Sequence, residues 1–442
     1  MFRPALLILV MTLVARSAPA AIDEFLAGLR SADERRRREA LEALVADPGC
    51  VPEADFPRAR RALLDLLEGE ARSDLRGLAA RALATRRTAE SDLRIVERLG
   101  RESDWRAQRP MLDALTGSVD APLALLLEQR IFREPRLDVR ILWIEALGRS
   151  DAPGAAAAIR RVAGIPLDWP LAQAAAIALS RFPEPETVDR LVEMLAGGDE
   201  AVCAAAHESL VKLTGMRSLP PRPAEWEAWW RERRAGFVFP GNAPPPDGEV
   251  RTVPTEGVTL PRYYDIPIRG RRVVFCLDAS ASMWGRKFEA AVVELSRAVR
   301  CLPTSYRFSV LFFNEHPVPW KEELVPAYPF QKLELLTTFS GLTTKKYTNI
   351  FDTLERALGF AGFGRYALAE PPGVDDVFLL SDGEPNRGRY RDTKGILAGL
   401  AELDPRHTVR IHTVSVGELP RELLAEVARA RGGGHVHIEA PR

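Results

Sequence analysis

The sequence predicts an α plus α/β multidomain chain, in which an N-terminal α-solenoid is followed by a doubly wound, mostly parallel α/β domain. Three observations predict it. A two-residue apolar signature recurs about every 32 residues through the first half, strands alternate with helices through the last 180, and a proline-rich stretch separates the two patterns. At 442 residues, 46% hydrophobic and 28% charged, the chain has ordinary globular composition and room for two or three domains. Lys+Arg and Asp+Glu both number 61, so no global field draws the protein to nucleic acid or an anionic surface. Such binding requires a local patch.

Residues 1–20 read as a signal peptide. Arg3 precedes an apolar run over 5–14, and Ala18-Pro19-Ala20 supplies the small-x-small cleavage pattern. About ten apolar residues are too few to cross a bilayer, and no later run of about 20 exists, so the mature chain is expected to be exported, periplasmic or extracellular, without a transmembrane segment. The alternative is an uncleaved N-terminal anchor. Four cysteines, Cys50, Cys203, Cys276 and Cys301, are expected to stay unpaired, because the folding pattern places them far apart.

Residues 21–235 form the expected solenoid. The signature appears at Ala43-Leu44, Ala82-Leu83, Ala114-Leu115, Ala146-Leu147, Ala178-Leu179 and Ser209-Leu210, in steps of 39, 32, 32, 32 and 31 residues. Each closes an apolar-periodic helix, such as 139–147 or 171–179, preceded by another, such as 121–131 or 188–195. One helix pair cannot bury its own apolar face and must stack on its neighbours. The array resembles HEAT repeats, with Asp104-Trp105-Arg106 and Asp138-Val139-Arg140 opening second helices as that family does. Trp226, Trp229 and Trp230 fall at helical spacing and predict a closing helix. Residues 236–261, with Pro240, Pro244, Pro245, Pro246, Pro254 and Pro261, form the predicted linker.

Residues 262–442 carry the candidate site. Strands are predicted at 272–278, 306–313, 374–380, 409–416 and 435–438, with a hairpin partner at 316–320. Helices are predicted at 288–299, 332–339, 350–360, 394–403 and 421–430. Ligands of such sheets bind at the carboxyl ends of the strands. There stand Asp278-Ala279-Ser280-Ala281-Ser282, Thr348 ahead of a helix, and Leu380-Ser381-Asp382-Gly383. Two carboxylates and three hydroxyls make an all-oxygen set that suits a hard divalent cation, with Mg2+ or Mn2+ favoured over a carboxylate-rich Ca2+ cage.

In that order and spacing the residues resemble the metal-ion-dependent adhesion site of von Willebrand factor type A (vWA) domains, matched by Asp278, Ser280, Ser282, Thr348 and Asp382. The resemblance implies that Ser280 and Ser282 coordinate the metal directly, and that Thr348 does so when ligand is bound. Asp278 and Asp382 act directly or through water, and a carboxylate of a partner protein completes the shell. Two departures stand out: Ala281 where the family often has glycine, and Lys345-Lys346-Tyr347 in place of small residues. Trp284, Lys345, Lys346 and Tyr347 are the candidate rim.

Two aspartates offset the cation and leave it able to accept one more oxygen donor. Hydrolysis would need a general base, and His316 alone of the six histidines falls near this edge, while His435 and His437 share one strand face. No P-loop, GxSxG or HExxH motif appears. The sequence therefore predicts a non-enzymatic interaction protein. A scaffold that binds through the solenoid without metal, or a metal-assisted hydrolase, are the alternatives.

Overall fold

The computed structural model describes residues 18–240, 260–339, 346–365, 373–418 and 421–439. Most of the expected leader, most of the expected linker (241–259) and Lys345 lie outside them. The chain divides into two compact units, Met1–Arg190 and Leu191–Arg442.

In the first unit the helices alternate as the repeat requires. They are α1 Ala18–Leu29, α2 Glu34–Ala46, α3 Phe56–Gly69, α4 Ser73–Ala84, α5 Ala89–Leu99, α6 Trp105–Ala114, α7 Ala121–Arg133, α8 Leu137–Arg149, α9 Ala155–Ala163 and α10 Trp169–Leu179. Even-numbered helices stack on even and odd on odd, giving the two layers of a solenoid. Leu44, Leu83, Leu115, Leu147 and Leu179 of the recurring signature are all buried. Neighbouring repeats are also joined by polar bonds: Arg76 clasps Glu102 at 2.7 and 2.9 Å, Arg161 clasps Glu128 at 2.7 and 2.8 Å, and the Ser150 hydroxyl donates to the Ser118 carbonyl. Gly148 is a packing glycine, because a Cβ there would lie 2.5 Å from Ala178 Cβ where α8 crosses α10. Asp104 caps α6 through the Arg106 amide, whereas Asp138 sits inside the first turn of α8, whose cap is Arg136. Helix α11, Pro185–Leu195, follows.

The second unit begins in the last helices of the array. Helix α12 (Glu200–Thr214) packs on α14 (Arg286–Cys301), where Arg297 meets Glu200 at 2.8 Å and Arg300 pairs with Asp199. Helix α13 (Pro223–Arg233) buries Trp226 and Trp230, and Trp230 meets Phe237 with ring centroids 5.4 Å apart. The aromatic spacing thus serves a core, as a closing helix requires.

The α/β part has strands β1 Arg262–Tyr263, β2 Ile266–Pro267, β3 Arg272–Asp278, β4 Arg307–Phe313, β5 Pro317–Pro319, β6 Val325–Pro326, β7 Asp376–Ser381, β8 Arg410–Gly417 and β9 Gly432–Glu439. The main sheet runs β5-β4-β3-β7-β8-β9, with β6 also on β4. Strands β4, β3, β7, β8 and β9 are parallel, and β5 and β6 are antiparallel to β4. Strands β3, β4, β7 and β8 are buried almost throughout, because helices cover both faces, and β3, β4 and β7 are mostly apolar. Helices α16 (Ile350–Gly359), α17 (Thr393–Leu403) and α18 (Glu422–Ala430) bury Phe351, Leu354, Leu400 and Leu424 with Val274, Leu311 and Leu379 of the sheet. Helix α15 is Pro329–Thr338.

Two features were not foreseen. The short strand β6 pairs with β4, and strands β1 and β2 form a separate antiparallel pair, turned by Tyr264 and Asp265 at φ 46° and 62°. Neither residue is the glycine or asparagine that marks such a turn in a sequence. All four cysteines are free thiols.

Candidate metal centre

Successive strands in this sheet lead outward on either side of the β3–β7 pair, because β4 follows β3 on one side and β8 follows β7 on the other. Such a switch point leaves a crevice beyond the carboxyl ends of the two central strands. Asp278 ends β3 and Ser381 ends β7, so the chain delivers its Asp-x-Ser-x-Ser loop and its Ser-Asp-Gly turn to the same crevice.

The oxygens there are knit together. Asp278 is fully buried and accepts from the Ser280 amide at 2.8 Å and from the Ser381 hydroxyl. Ser280 and Ser282 place their hydroxyl oxygens 3.0 Å apart, and the Ser282 hydroxyl donates to Asp382 Oδ1 at 2.7 Å. Thr348 is buried beside the same turn, for a Cβ on Gly383 would lie 3.3 Å from Thr348 Oγ1. Its backbone is clamped by Asn386, whose side chain accepts from the Thr348 amide at 2.9 Å and whose own amide donates to the Thr348 carbonyl at 3.0 Å. Asn349 then caps α16 through the Asp352 amide. The five residues named from the sequence are therefore neighbours.

The Ser280–Ser282 and Ser282–Asp382 separations of 3.0 and 2.7 Å are those of hydrogen-bonded oxygens. Two carboxylates and three hydroxyls gathered at one strand edge are the kind of all-oxygen set that a hard divalent cation takes as ligands. Burial pushes the Asp278 carboxyl up to about 6, with nearby Asp382 adding to the rise and the Ser381 and Ser280 bonds opposing it. A buried carboxylate held by neutral donors favours a cation beside it.

Four participants were not named from the sequence. Lys287, in the first turn of α14, sets its ammonium 2.6 Å from Asp382 Oδ2 and 3.3 Å from the Ser282 carbonyl. Ser381 fastens Asp278, Asn386 holds Thr348, and Arg421 donates to the Asp382 carbonyl at 3.0 Å. Ser381 was legible as a hydroxyl beside Asp382 at a strand end. The others carry no local signal.

At the rim, Trp284 is 68% and Tyr347 42% exposed, and Arg387 lies over the Tyr347 ring at 5.3 Å. Lys346 is exposed, and Lys345 lies outside the described residues. His316 is exposed. His435 and His437 are bound to the hydroxyls of Thr413 and Ser415 on β8. No helix among the described residues is long and apolar enough to cross a membrane.

A family model for the von Willebrand factor type A domain matches residues 271–438, and one for HEAT repeats matches residues 124–211. Inter-alpha-trypsin inhibitor heavy chain H2 of Mus musculus is 30% identical over 125 residues, which is 28% of this chain and 13% of that protein. Heavy chain H3 of Pongo abelii is 31% identical over 130 residues, 29% of this chain and 15% of the relative. The chain thus spans only a small part of these relatives. Among solved structures, a von Willebrand factor type A protein from Catenulispora acidiphila aligns with a TM-score of 0.32 at 20% identity, over 38% of each chain. Proximal thread matrix protein 1 of the mussel byssus, with a zinc-occupied adhesion motif, aligns with a TM-score of 0.30 at 18% identity, over 38% of this chain and 41% of that one. The chain thus carries a von Willebrand factor type A domain over residues 271–438, with which its sheet order agrees, and HEAT repeats over residues 124–211.

Proposed function

We propose that this is an exported, non-enzymatic interaction protein whose vWA domain holds Mg2+ or Mn2+ through Asp278, Ser280, Ser282, Thr348 and Asp382 and offers it to a carboxylate of a partner protein. The observation that carries this reading is the convergence of the Ser280, Ser282 and Asp382 oxygens, with Thr348, beside the buried Asp278 at the carboxyl ends of β3 and β7. When bound, the metal supplies a Lewis-acidic position for one external oxygen. The chain's own residues orient that position, and the exposed Trp284 and Tyr347 supply apolar contact around it. The HEAT array acts as scaffold or as a second binding surface.

The leader is removed near Ala20, the solenoid occupies 21–235, and the vWA domain occupies 262–442. Limited proteolysis should cut between Phe237 and Thr259, while the ion pairs of Arg297 and Arg300 keep the fragments together at low salt. The functional test is capture of binding proteins from the exported fraction by the full chain, with Mn2+ or with EDTA. Ser280→Ala, Thr348→Ala and EDTA should each release the same partner. A partner that survives all three treatments would transfer the function to the solenoid, and metal-dependent turnover of an ester would make the protein a hydrolase.

A further inference from the structure

At the opposite edge of the sheet, the amino ends of the parallel strands surround a cavity of about 610 Å³. Its wall holds five arginines, Arg269, Arg271, Arg272, Arg307 and Arg410, against one lining carboxylate, Asp375. Arg272 opens β3, Arg307 opens β4 and Arg410 opens β8. Strands of seven or eight residues put this edge about 20 Å from the metal centre.

Arg272 and Arg307 are direct partners across the parallel β3–β4 ladder, and their guanidiniums part, that of Arg272 to Asp375 and that of Arg307 to the Leu324 carbonyl at 2.9 and 3.2 Å. The carboxylates at hand are already engaged. Asp375 accepts from the backbone amides of Arg271 and Arg272, at 2.9 Å each, and from the Arg272 guanidinium at 2.5 Å. Asp376 accepts from Arg410 at 2.6 Å and from the Gly270 amide at 2.6 Å. These bonds orient Arg272 and Arg410 and hold the backbone that carries the exposed Arg271. The excess of guanidinium over carboxylate remains, in a chain whose formal net charge is zero.

We propose that this cavity is a second binding site, for a small, multiply charged oxyanion bearing phosphate or sulfate ester groups. Guanidinium forks match the oxygens of both groups bidentately, and the exposed Arg269 and Arg271 offer theirs beside the positive charge of Arg272, Arg307 and Arg410, which favours multiple charge over a single carboxylate. A volume of about 610 Å³ admits a diphosphate or a sulfated disaccharide. Arg272 and Arg410, braced by aspartates, form the floor of the site, and Arg269 and Arg271 close over the ligand.

The test uses the full chain in EDTA, so that the metal centre takes no part. Inorganic pyrophosphate and a sulfated disaccharide are titrated separately by calorimetry, with sodium chloride matched for ionic strength. Saturable binding of either probe is expected, and the tighter of the two identifies the ester class. The double variant Arg269→Gln/Arg271→Gln changes exposed side chains only, and should lose roughly tenfold in affinity per guanidinium removed. Arg269→Lys/Arg271→Lys keeps the charge without the fork and should fall between. Melting curves in chloride alone report whether each variant is folded. Absence of saturable binding by both probes, or a glutamine variant that binds as the parent does, would overturn the proposal.

Discussion

Lys287 offers the sharpest quantitative check on the proposed metal centre. Its ammonium lies 2.6 Å from an Asp382 side chain that is 1% exposed, while the lysine side chain itself is 29% exposed. A divalent cation drawing on Asp382 must share that carboxylate with a positive charge or displace it. Were the ammonium to stay about 5 Å from the ion, the repulsion at an effective dielectric constant of about 20 would reach roughly 6–7 kcal/mol. The exposed stem instead lets it swing into water, so the cost falls to that of breaking one partly screened ion pair, about 1–2 kcal/mol. Lys287→Met should therefore tighten Mg2+ and Mn2+ binding by roughly five- to thirtyfold. The same substitution removes the counter-ion of Asp382 from the metal-free protein, so its melting temperature in EDTA should drop while that in saturating Mn2+ holds. Calorimetric titration of the full chain, paired with melting curves in both states, reads the two effects. Equal or weaker metal binding by Lys287→Met would show that the ammonium supports the site, and the competition reasoning would fail.

Three further outcomes follow from particular residues. The Asp278 carboxyl, raised to about 6 by burial, is neutral below that value, so protons compete with metal there. Metal affinity should fall by up to about tenfold per pH unit below pH 6, and a flat profile from pH 7 to 5 would exclude Asp278 from the site. Without metal the sign reverses: a raised carboxyl favours the folded state at low pH, and that contribution fades as pH climbs from about 4 to 6. Gly388, at φ +102°, leaves no room for a side chain, because a Cβ would lie 2.1 Å from Asn349 Oδ1; Gly388→Ala should cost about 1–3 kcal/mol in chemical denaturation and weaken metal binding by shifting Thr348. Finally, Lys332 is fully buried, donates to the Arg300 and Leu302 carbonyls at 2.9 and 2.6 Å, and is held down to about 7 by burial. Between pH 7 and about 10 the unfolded chain binds the proton that the folded chain gives up, so stability should rise with pH by at most about 1.4 kcal/mol per unit. Lys332→Met should flatten that slope, and an unchanged slope would place the titration elsewhere.

What the sequence determined by itself was everything carried by short-range periodicity. The 32-residue recurrence announced stacked helix pairs, since each signature leucine lies within a few residues of the helix that buries it. The strand-end position of Asp278 and of Ser381-Asp382 announced a shared crevice, because parallel strands deliver their carboxyl ends to one edge. The register of the sheet decided the rest. Lys287 reaches Asp382 across 95 residues, and Gly270 reaches Asp376 across 106. No local pattern encodes such contacts. The two-strand turn at Tyr264-Asp265 was hidden for a different reason: tertiary packing, which buries Tyr263 against Phe275 and Phe378, overrides the weak turn propensity of its residues. The arginine cavity was invisible in a chain with no net charge, because charge balance is a sum over the whole sequence. A binding field is made by the few groups that strand pairing brings within a Debye length of one another.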